Sequence, residues 1–324
     1  MNIEYTNPVW DGYLADPFVF RANGAYYAVG TGSSAGDALE ANGREFPLLR
    51  SSDLVHWELL GGALDTSALS GVNAFWAPEV AEVDGKFYMY YASGRAEAAT
   101  TMRATAAVAT APEGPYIPTG AQLIPSEGFT IDAHPFQDPA DGTWHLFFAR
   151  DYFDGPAGTA LAAVRLAADM VSVEGPITTV LRASADWQVF ERNRDLYGQT
   201  WPVWSTLEGP SVIARDGRYF LLYSGGRWEG NNYGVGYAVA DNVLGPYVEP
   251  AGLEGPRVLR ATDTAIGPGH ASITTSPGGE IDMLVYHAWD TGLTARRMCM
   301  DPMIWPAGEP RCDGPSTGRR LLSA

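Results

Sequence analysis

The sequence predicts an all-β protein, a five-bladed β-propeller formed as one domain over residues 1–324. Three observations carry this expectation. Trp, Tyr, Phe, Gly and Pro number 10, 16, 12, 37 and 23, against 21 Lys and Arg, a balance that favours strands and turns over helices. One hairpin pattern recurs five times. The polar residues that open its copies, Asp16, Glu79, Asp132, Glu208 and His270, follow one another at intervals of 63, 53, 76 and 62 residues, as blades with loop insertions would.

Taken in order, the first copy runs Ala15-Asp16-Pro17-Phe18-Val19-Phe20, then Asn23-Gly24, then Ala25-Tyr26-Tyr27-Ala28-Val29. An apolar strand, a two-residue turn able to take positive φ twice and an aromatic strand signal a β-hairpin. The second copy leads from Ala77-Pro78-Glu79-Val80 through Asp84-Gly85 to Phe87-Tyr88-Met89-Tyr90-Tyr91. The third leads from Ile131-Asp132-Ala133-His134-Pro135-Phe136 through Asp141-Gly142 to Trp144-His145-Leu146-Phe147-Phe148. The fourth leads from Glu208-Gly209-Pro210-Ser211 through Asp216-Gly217 to Tyr219-Phe220-Leu221-Leu222-Tyr223, and the fifth from Gly269-His270-Ala271-Ser272-Ile273 through Gly278-Gly279 to Ile281-Asp282-Met283-Leu284. A second strand pair after each copy completes a four-stranded blade, and the five opening residues are expected to ring one end of a central channel. Two insertions interrupt the blades. Ser33 to Phe46 is small and polar, whereas Ala183 to Thr206 carries Trp187, Phe190, Tyr197, Trp201 and Trp204, which suits either a wall for a sugar ring or packing between blades.

Charge and cysteine content narrow the functions. A formal net charge of −17 repels nucleic acid and anionic membrane surfaces, so the expected partner is a neutral oligosaccharide or polysaccharide. Two cysteines, Cys299 and Cys312, permit one bridge and exclude a disulfide framework or a cysteine-rich metal site. The start, Met1-Asn2-Ile3-Glu4-Tyr5, lacks a basic stretch followed by an apolar one. No signal peptide is visible, and a cytoplasmic location is expected unless a leader has been removed.

Three carboxyls at a channel mouth lined by tryptophans match what cleavage of a glycosidic bond needs. One acid protonates the leaving oxygen, a carboxylate activates water on the opposite face of the sugar, and a third carboxylate holds the acid's pKa high. Glu208, placed in a Gly-Pro turn after Trp201 and Trp204, sits where burial favours the protonated form; a turn-bracing role is the plainer alternative for a lone Glu-Gly-Pro. For Glu79 the structural role is preferred.

Ala15-Asp16-Pro17-Phe18-Val19, Trp76-Ala77-Pro78-Glu79, Ile131-Asp132-Ala133-His134-Pro135-Phe136, Glu208-Gly209-Pro210 and Gly267-Pro268-Gly269-His270 together resemble glycoside hydrolase family 43 in order and spacing. The resemblance implies a five-bladed propeller and inverting hydrolysis of arabinofuranosides or xylosides. It implies Asp16 as general base, Asp132 as the aspartate that orients and tunes the acid, and Glu208 as general acid. Substrate contacts are expected from Trp76, His134, Trp204 and Arg296, while Arg297 should face the other side of its strand. His270 matches a histidine that, in many members, approaches a channel calcium. Calcium prefers oxygen ligands, so a hydrogen-bonded core histidine is the alternative and no cofactor is required for the chemistry. His134 stands where the family more often has a serine. The short C-terminal end after Pro315 disfavours the two-domain β-xylosidase type. The expected activity is therefore an exo-acting α-L-arabinofuranosidase, with β-xylosidase, endo-arabinanase and galactofuranosidase as alternatives of the same chemistry and a non-catalytic glycan-binding propeller as the alternative of another class. The absence of an Asn-Asp-Pro-Asn-like motif near the start disfavours retaining fructosidases.

Overall fold

The computed structural model describes residues 2–33, 42–252 and 254–323; most of the polar insertion expected over 33–46, residues 34–41, lies outside the described residues. Strands dominate. After β1 (Asn2–Tyr5), strands β2 (Ala15–Ala22), β3 (Ala25–Thr31), β4 (Glu45–Ser51) and β5 (Trp57–Leu64) form an antiparallel sheet. β6 (Ala74–Val83), β7 (Lys86–Arg95), β8 (Ala98–Ala109) and β9 (Ile117–Gln122) form a second. A nine-stranded sheet follows, made of β10 (Thr130–Gln137), β11 (Trp144–Tyr152), β12 (Gly158–Leu166), β13 (Val173–Leu181), β14 (Val189–Leu196), β15 (Gln199–Arg215), β16 (Arg218–Gly225), β17 (Gly234–Ala240) and β18 (Leu259–Arg260). Its two halves touch through a short parallel ladder, Gly158 opposite Ser205 and Thr159 opposite Thr206. β19 (Ile266–Thr275), β20 (Asp282–Trp289), β21 (Arg296–Ile304) and β22 (Arg311–Cys312) form the last four-stranded sheet, and β23 (Arg320–Ser323) pairs back onto β1.

Local chemistry explains the hairpins. Asn23-Gly24, Asp84-Gly85 and Asp216-Gly217 join adjacent strands with φ of 50° and 77°, 51° and 74°, and 51° and 72°, the doubly positive geometry of a type I′ turn. In the third and fifth copies residues 138–143 and 276–281 make longer connections. Apolar layers then pack each group of strands on the next. Tyr27, Phe46 and Leu48 meet Met89 and Tyr91; Tyr90 and Ala106 meet Leu146 and Phe148; Phe147 and Leu161 meet Leu221 and Tyr223; Leu222 and Tyr237 meet Leu284 and Tyr286. A further layer joins Met283, Val285 and Met300 of the last sheet to Tyr26, Leu49 and Leu54 of the first, so the succession closes on itself. Cys299 and Cys312 are both free thiols.

The leading strands β2, β6, β10, β15 and β19 share one irregularity. Each slips register at a residue of positive φ: Asp16 (51°), Ala77 (47°), Asp132 (57°), Gly209 (54°) and His270 (48°). This corrects the alignment expected from the repeat. Glu208 comes one residue before the equivalent position and Glu79 two residues after it. A bulge adds a residue and re-aims the side chains beside it, and a one-residue slip exchanges the faces of a strand, so matching acids by sequence alone loses the phase.

The amides of these left-handed residues tie the sheets together. Asp16 N donates to His287 Nδ1 at 3.1 Å, Ala77 N to Thr31 Oγ1 at 2.8 Å and His270 N to Ser224 Oγ at 2.7 Å. The acceptors lie on β20, β3 and β16, each opposite the residue that precedes a bulge: His287 opposite Gly269, Thr31 opposite Ala15, Ser224 opposite Glu208. On β7 and β11 that position holds Ala92, opposite Trp76, and Ala149, opposite Ile131, whose methyls accept nothing. Gly209 N donates to the Asp132 carboxylate instead, 2.9 Å from Oδ2.

Candidate active site

The bulges converge on a cavity of about 280 Å³ lined by Asp16, Thr31, Trp76, Ile131, Asp132, Glu208, Trp228, His270 and Arg296. A larger hollow of about 690 Å³ lies elsewhere, along Thr179–Ser184 and Tyr247–Gly252, but its lining acid, Glu249, is already held by Gln188 and Ser184. The smaller cavity is where the chemistry collects. Positive φ at Asp16 and Asp132, a backbone state of sparse population for residues other than glycine, is the kind of local strain that accompanies functional positions.

Asp16 has the cationic side of the cavity. Its Oδ2 accepts from Thr31 Oγ1 at 2.6 Å, and its Oδ1 lies 3.3 Å from Arg296 Nη1, 3.4 Å from His270 Nδ1 and 3.2 Å from His287 Nδ1. Burial alone would raise its pKa; His270 and Arg296 outweigh it and hold the carboxyl well below the ordinary range. Arg296 is itself fixed, its Nε donating to Tyr13 Oη at 3.0 Å and its guanidinium 4.7 Å from the centre of the Trp228 ring. Glu208 has the opposite surroundings. Burial, with the nearby Asp132 and Asp16 carboxyls adding to it against His270 and Tyr233, raises its pKa to about 7. Asp132 is raised to about 6, again by burial first, with Asp16 and Glu79 adding and His270 and the Gly209 amide opposing. Tyr233 Oη donates to Glu208 Oε1 at 2.7 Å. The cavity thus pairs a carboxyl held ionised with one held protonated near neutrality, the arrangement that acid–base cleavage of a glycoside requires.

Asp16, Asp132, Glu208, Trp76, Arg296 and His270, singled out in the sequence, all line this cavity. Arg297 points away, 2.6 Å from Asp290, as alternation along β21 dictates. Two expected substrate contacts stand elsewhere. Trp204 is 1% exposed, packed against Phe153, Tyr197 and Trp201, so the aromatic insertion folds as the β14–β15 hairpin and buries this ring in its own base. His134 is buried with both ring nitrogens engaged: Nε2 accepts from Val212 N at 3.1 Å, which makes Nδ1 the donor to Glu79 Oε2 at 2.6 Å. It braces β6, β10 and β15 and keeps no nitrogen for a sugar.

His270 lines the cavity beside two carboxyls. Calcium takes six to eight oxygens; this ring contributes nitrogen, and its Nδ1 faces Asp16 and Asp132. Among the described residues no group of three or more His, Cys, Asp or Glu side chains converges as metal ligands would. His287 Nδ1 accepts the Asp16 amide, which leaves the ring proton on Nε2.

Sequence reasoning missed Trp228, Thr31, His287 and Tyr233. The signal lay in the connections: Trp228 and Tyr233 sit in the stretch joining β16 to β17, the second and third strands of the group that Glu208 leads, while Thr31 ends the second strand of its group and His287 lies two residues before the end of the second strand of its own.

Comparison with known proteins agrees with this chemistry. The family described as "Glycosyl hydrolases family 43" matches residues 5–310. A beta-D-galactofuranosidase of Aspergillus niger is 29% identical over 95% of this chain and 84% of its own length. An extracellular exo-alpha-(1->5)-L-arabinofuranosidase of Streptomyces avermitilis is 26% identical over 88% of this chain, and an alpha-L-arabinofuranosidase B of Pyricularia oryzae 25% identical over 85%; the chain spans little more than half of these two, 56% and 54%. Among solved structures, a thermostable family-43 glycoside hydrolase superposes with a TM-score of 0.82 at 30% identity, covering 97% of both chains. An endo-1,4-beta-xylanase from Bacteroides thetaiotaomicron gives 0.76 at 28% identity, covering 98% of both. Among the described residues no helix is long and apolar enough to cross a membrane. With the match running almost from end to end, this chain belongs to glycosyl hydrolase family 43 and is a glycoside hydrolase.

Proposed function

We propose that the enzyme is an inverting, exo-acting α-L-arabinofuranosidase built as a single five-bladed propeller. One observation carries the activity: Asp16, held ionised, and Glu208, raised to about 7, share a cavity of about 280 Å³. That volume is below the roughly 300–1,000 Å³ of most ligand pockets and suits one terminal sugar ring better than a chain passing through. Asp16 deprotonates a water, Glu208 protonates the leaving oxygen, and the Asp132 carboxyl keeps Glu208 protonated in the free enzyme. Trp76, Trp228 and Arg296 hold the ring. The successive four-stranded groups and the apolar layer that returns from the last sheet to the first support the five-bladed arrangement. Arabinofuranosidase relatives support the sugar, and the one named extracellular favours secretion over the cytoplasmic expectation.

A second assignment, β-D-galactofuranosidase, is favoured by the relative that is 29% identical over 95% of the chain. Turnover of 4-nitrophenyl α-L-arabinofuranoside, β-D-galactofuranoside and β-D-xyloside, together with linear arabino-oligosaccharides, separates these, with the first product anomer followed by NMR. Arabinofuranoside hydrolysis giving the β-anomer first is expected. Initial α-product would sink inversion, and preference for the galactofuranoside would replace the substrate.

A further inference from the structure

A set of polar contacts lies behind Glu208. It begins at the His270 amide, which can only donate, and donates to Ser224 Oγ at 2.7 Å. The Ser224 hydroxyl keeps its own proton to give and stands on the Tyr233 side, where it favours the ionised phenol, and Tyr233 Oη donates to Glu208 Oε1 at 2.7 Å. In a protonated carboxyl the carbonyl oxygen is the better acceptor, so an oxygen that receives the phenol's proton is favoured as the carbonyl and its partner as the bearer of the acid proton. The bond from Tyr233 to Oε1 therefore directs the acid proton of Glu208 to Oε2.

The packing around these contacts is built to hold them. Tyr233 is buried completely and stacks on His287, ring centres 6.0 Å apart and 11° from parallel. Ser224 sits directly opposite Glu208 across the β15–β16 ladder. On the other side Gly269 leaves the room: a Cβ there would stand 2.3 Å from the Tyr233 ring and 3.0 Å from Ser224 Oγ.

We propose that Tyr233, oriented by Ser224, is a positioning residue that fixes which oxygen of Glu208 presents the proton to the leaving group. The idea rests on Glu208 being the general acid. A carboxyl whose proton is distributed over two oxygens, only one of them aimed at the substrate, is a poorer acid wherever departure needs protonation. Leaving groups that depart unaided do not feel the loss.

The test compares Tyr233→Phe, Ser224→Ala, the double variant and Glu208→Gln on two substrates, 4-nitrophenyl α-L-arabinofuranoside and α-1,5-arabinobiose. Tyr233→Phe keeps the buried ring and its stacking, so it keeps the fold. It should lower kcat on the disaccharide about fivefold to tenfold, the worth of one hydrogen bond between neutral groups, with KM unchanged and the aryl glycoside within about twofold. Ser224→Ala should show the same split at smaller size, and the double variant should equal Tyr233→Phe alone, because Ser224 acts only through the phenol. Equal losses on both substrates, or additive losses in the double variant, would overturn the proposal by showing mere packing. Should Tyr233→Phe unfold the protein, Gly269→Ala gives the same reading by displacing the phenol, and an unsplit loss there overturns it too. The two ideas fail separately. If Glu208→Gln retains disaccharide hydrolysis, the acid is misassigned; if it abolishes it while Tyr233→Phe shows no split, the acid stands and the positioning role is gone.

Discussion

Asp16 and Glu208 face the same cavity, and their surroundings push them in opposite directions. The Asp16 side is assembled by β2, β3 and the last sheet, which bring Thr31, His287, His270 and Arg296 to one carboxyl. The Glu208 side is assembled by β10, β15 and the β16–β17 connection, which bring a second carboxyl, Asp132, and the phenol of Tyr233. Burial acts in the same sense on both. The sign of the neighbouring charge separates them, so the division of labour between base and acid is set by which sheet supplies the neighbours.

The most severe way to break the contrast is to neutralise either member. Asp16→Asn and Glu208→Gln should each lower kcat/KM about 10²–10⁴-fold on a substrate with a poor leaving group while leaving the circular dichroism spectrum and melting temperature close to wild type. With an activated aryl glycoside the Glu208 variant should recover part of its rate and the Asp16 variant none. Recovery by the Asp16 variant alone would reverse the two roles.

Two milder substitutions sharpen the contrast because each touches one side. Activity needs Asp16 ionised and Glu208 protonated. The kcat/KM profile should therefore hold on the acid side until pH falls below the ordinary carboxylate range and drop as pH rises through about 7. Arg296→Gln removes a cation from Asp16, whose pKa then rises, so the acid limb should move up in pH and the alkaline limb stay. Asp132→Asn removes an anion from Glu208, whose pKa then falls, so the alkaline limb should move down and the acid limb stay. Each loses a charge-assisted contact and should cost roughly tenfold to a hundredfold in kcat/KM at its optimum. Both limbs moving together in either variant would show that the two sides are not electrically separate.

The part of this arrangement that was legible in the sequence is the part written locally. Asn23-Gly24, Asp84-Gly85 and Asp216-Gly217 announce their turns because two adjacent residues must take positive φ, and strands follow from the aromatic and β-branched runs beside them. The motifs around Asp16, Asp132 and Glu208 were legible through their recurrence. Illegible was everything set by phase and by distant neighbours. Glu79 and Glu208 looked equivalent until the bulges placed them two residues after and one before the left-handed position. Trp204 looked like a wall because aromaticity says nothing about which face of a hairpin is covered, and Tyr233 carried no mark because its role exists only once the β16–β17 connection lies against β15 and β19.

His134 gives the smallest expected effect on catalysis and the clearest separation of scaffold from site. It lies two residues beyond Asp132, yet its bonds run to Glu79 and to the amide of Val212 rather than to the cavity. His134→Ala leaves a buried carboxyl without its donor and a buried amide without its acceptor, each at a cost of about 1–3 kcal/mol. The melting temperature should fall by several degrees, whereas kcat and KM measured well below it should stay within about twofold of wild type. The conservative His134→Asn offers one amide side chain in place of a ring whose nitrogens face opposite ways; it can serve one partner and should recover part of the stability. A rise in KM with the melting temperature intact would instead put His134 back against the sugar, and the two faces of β10 would then both serve the substrate.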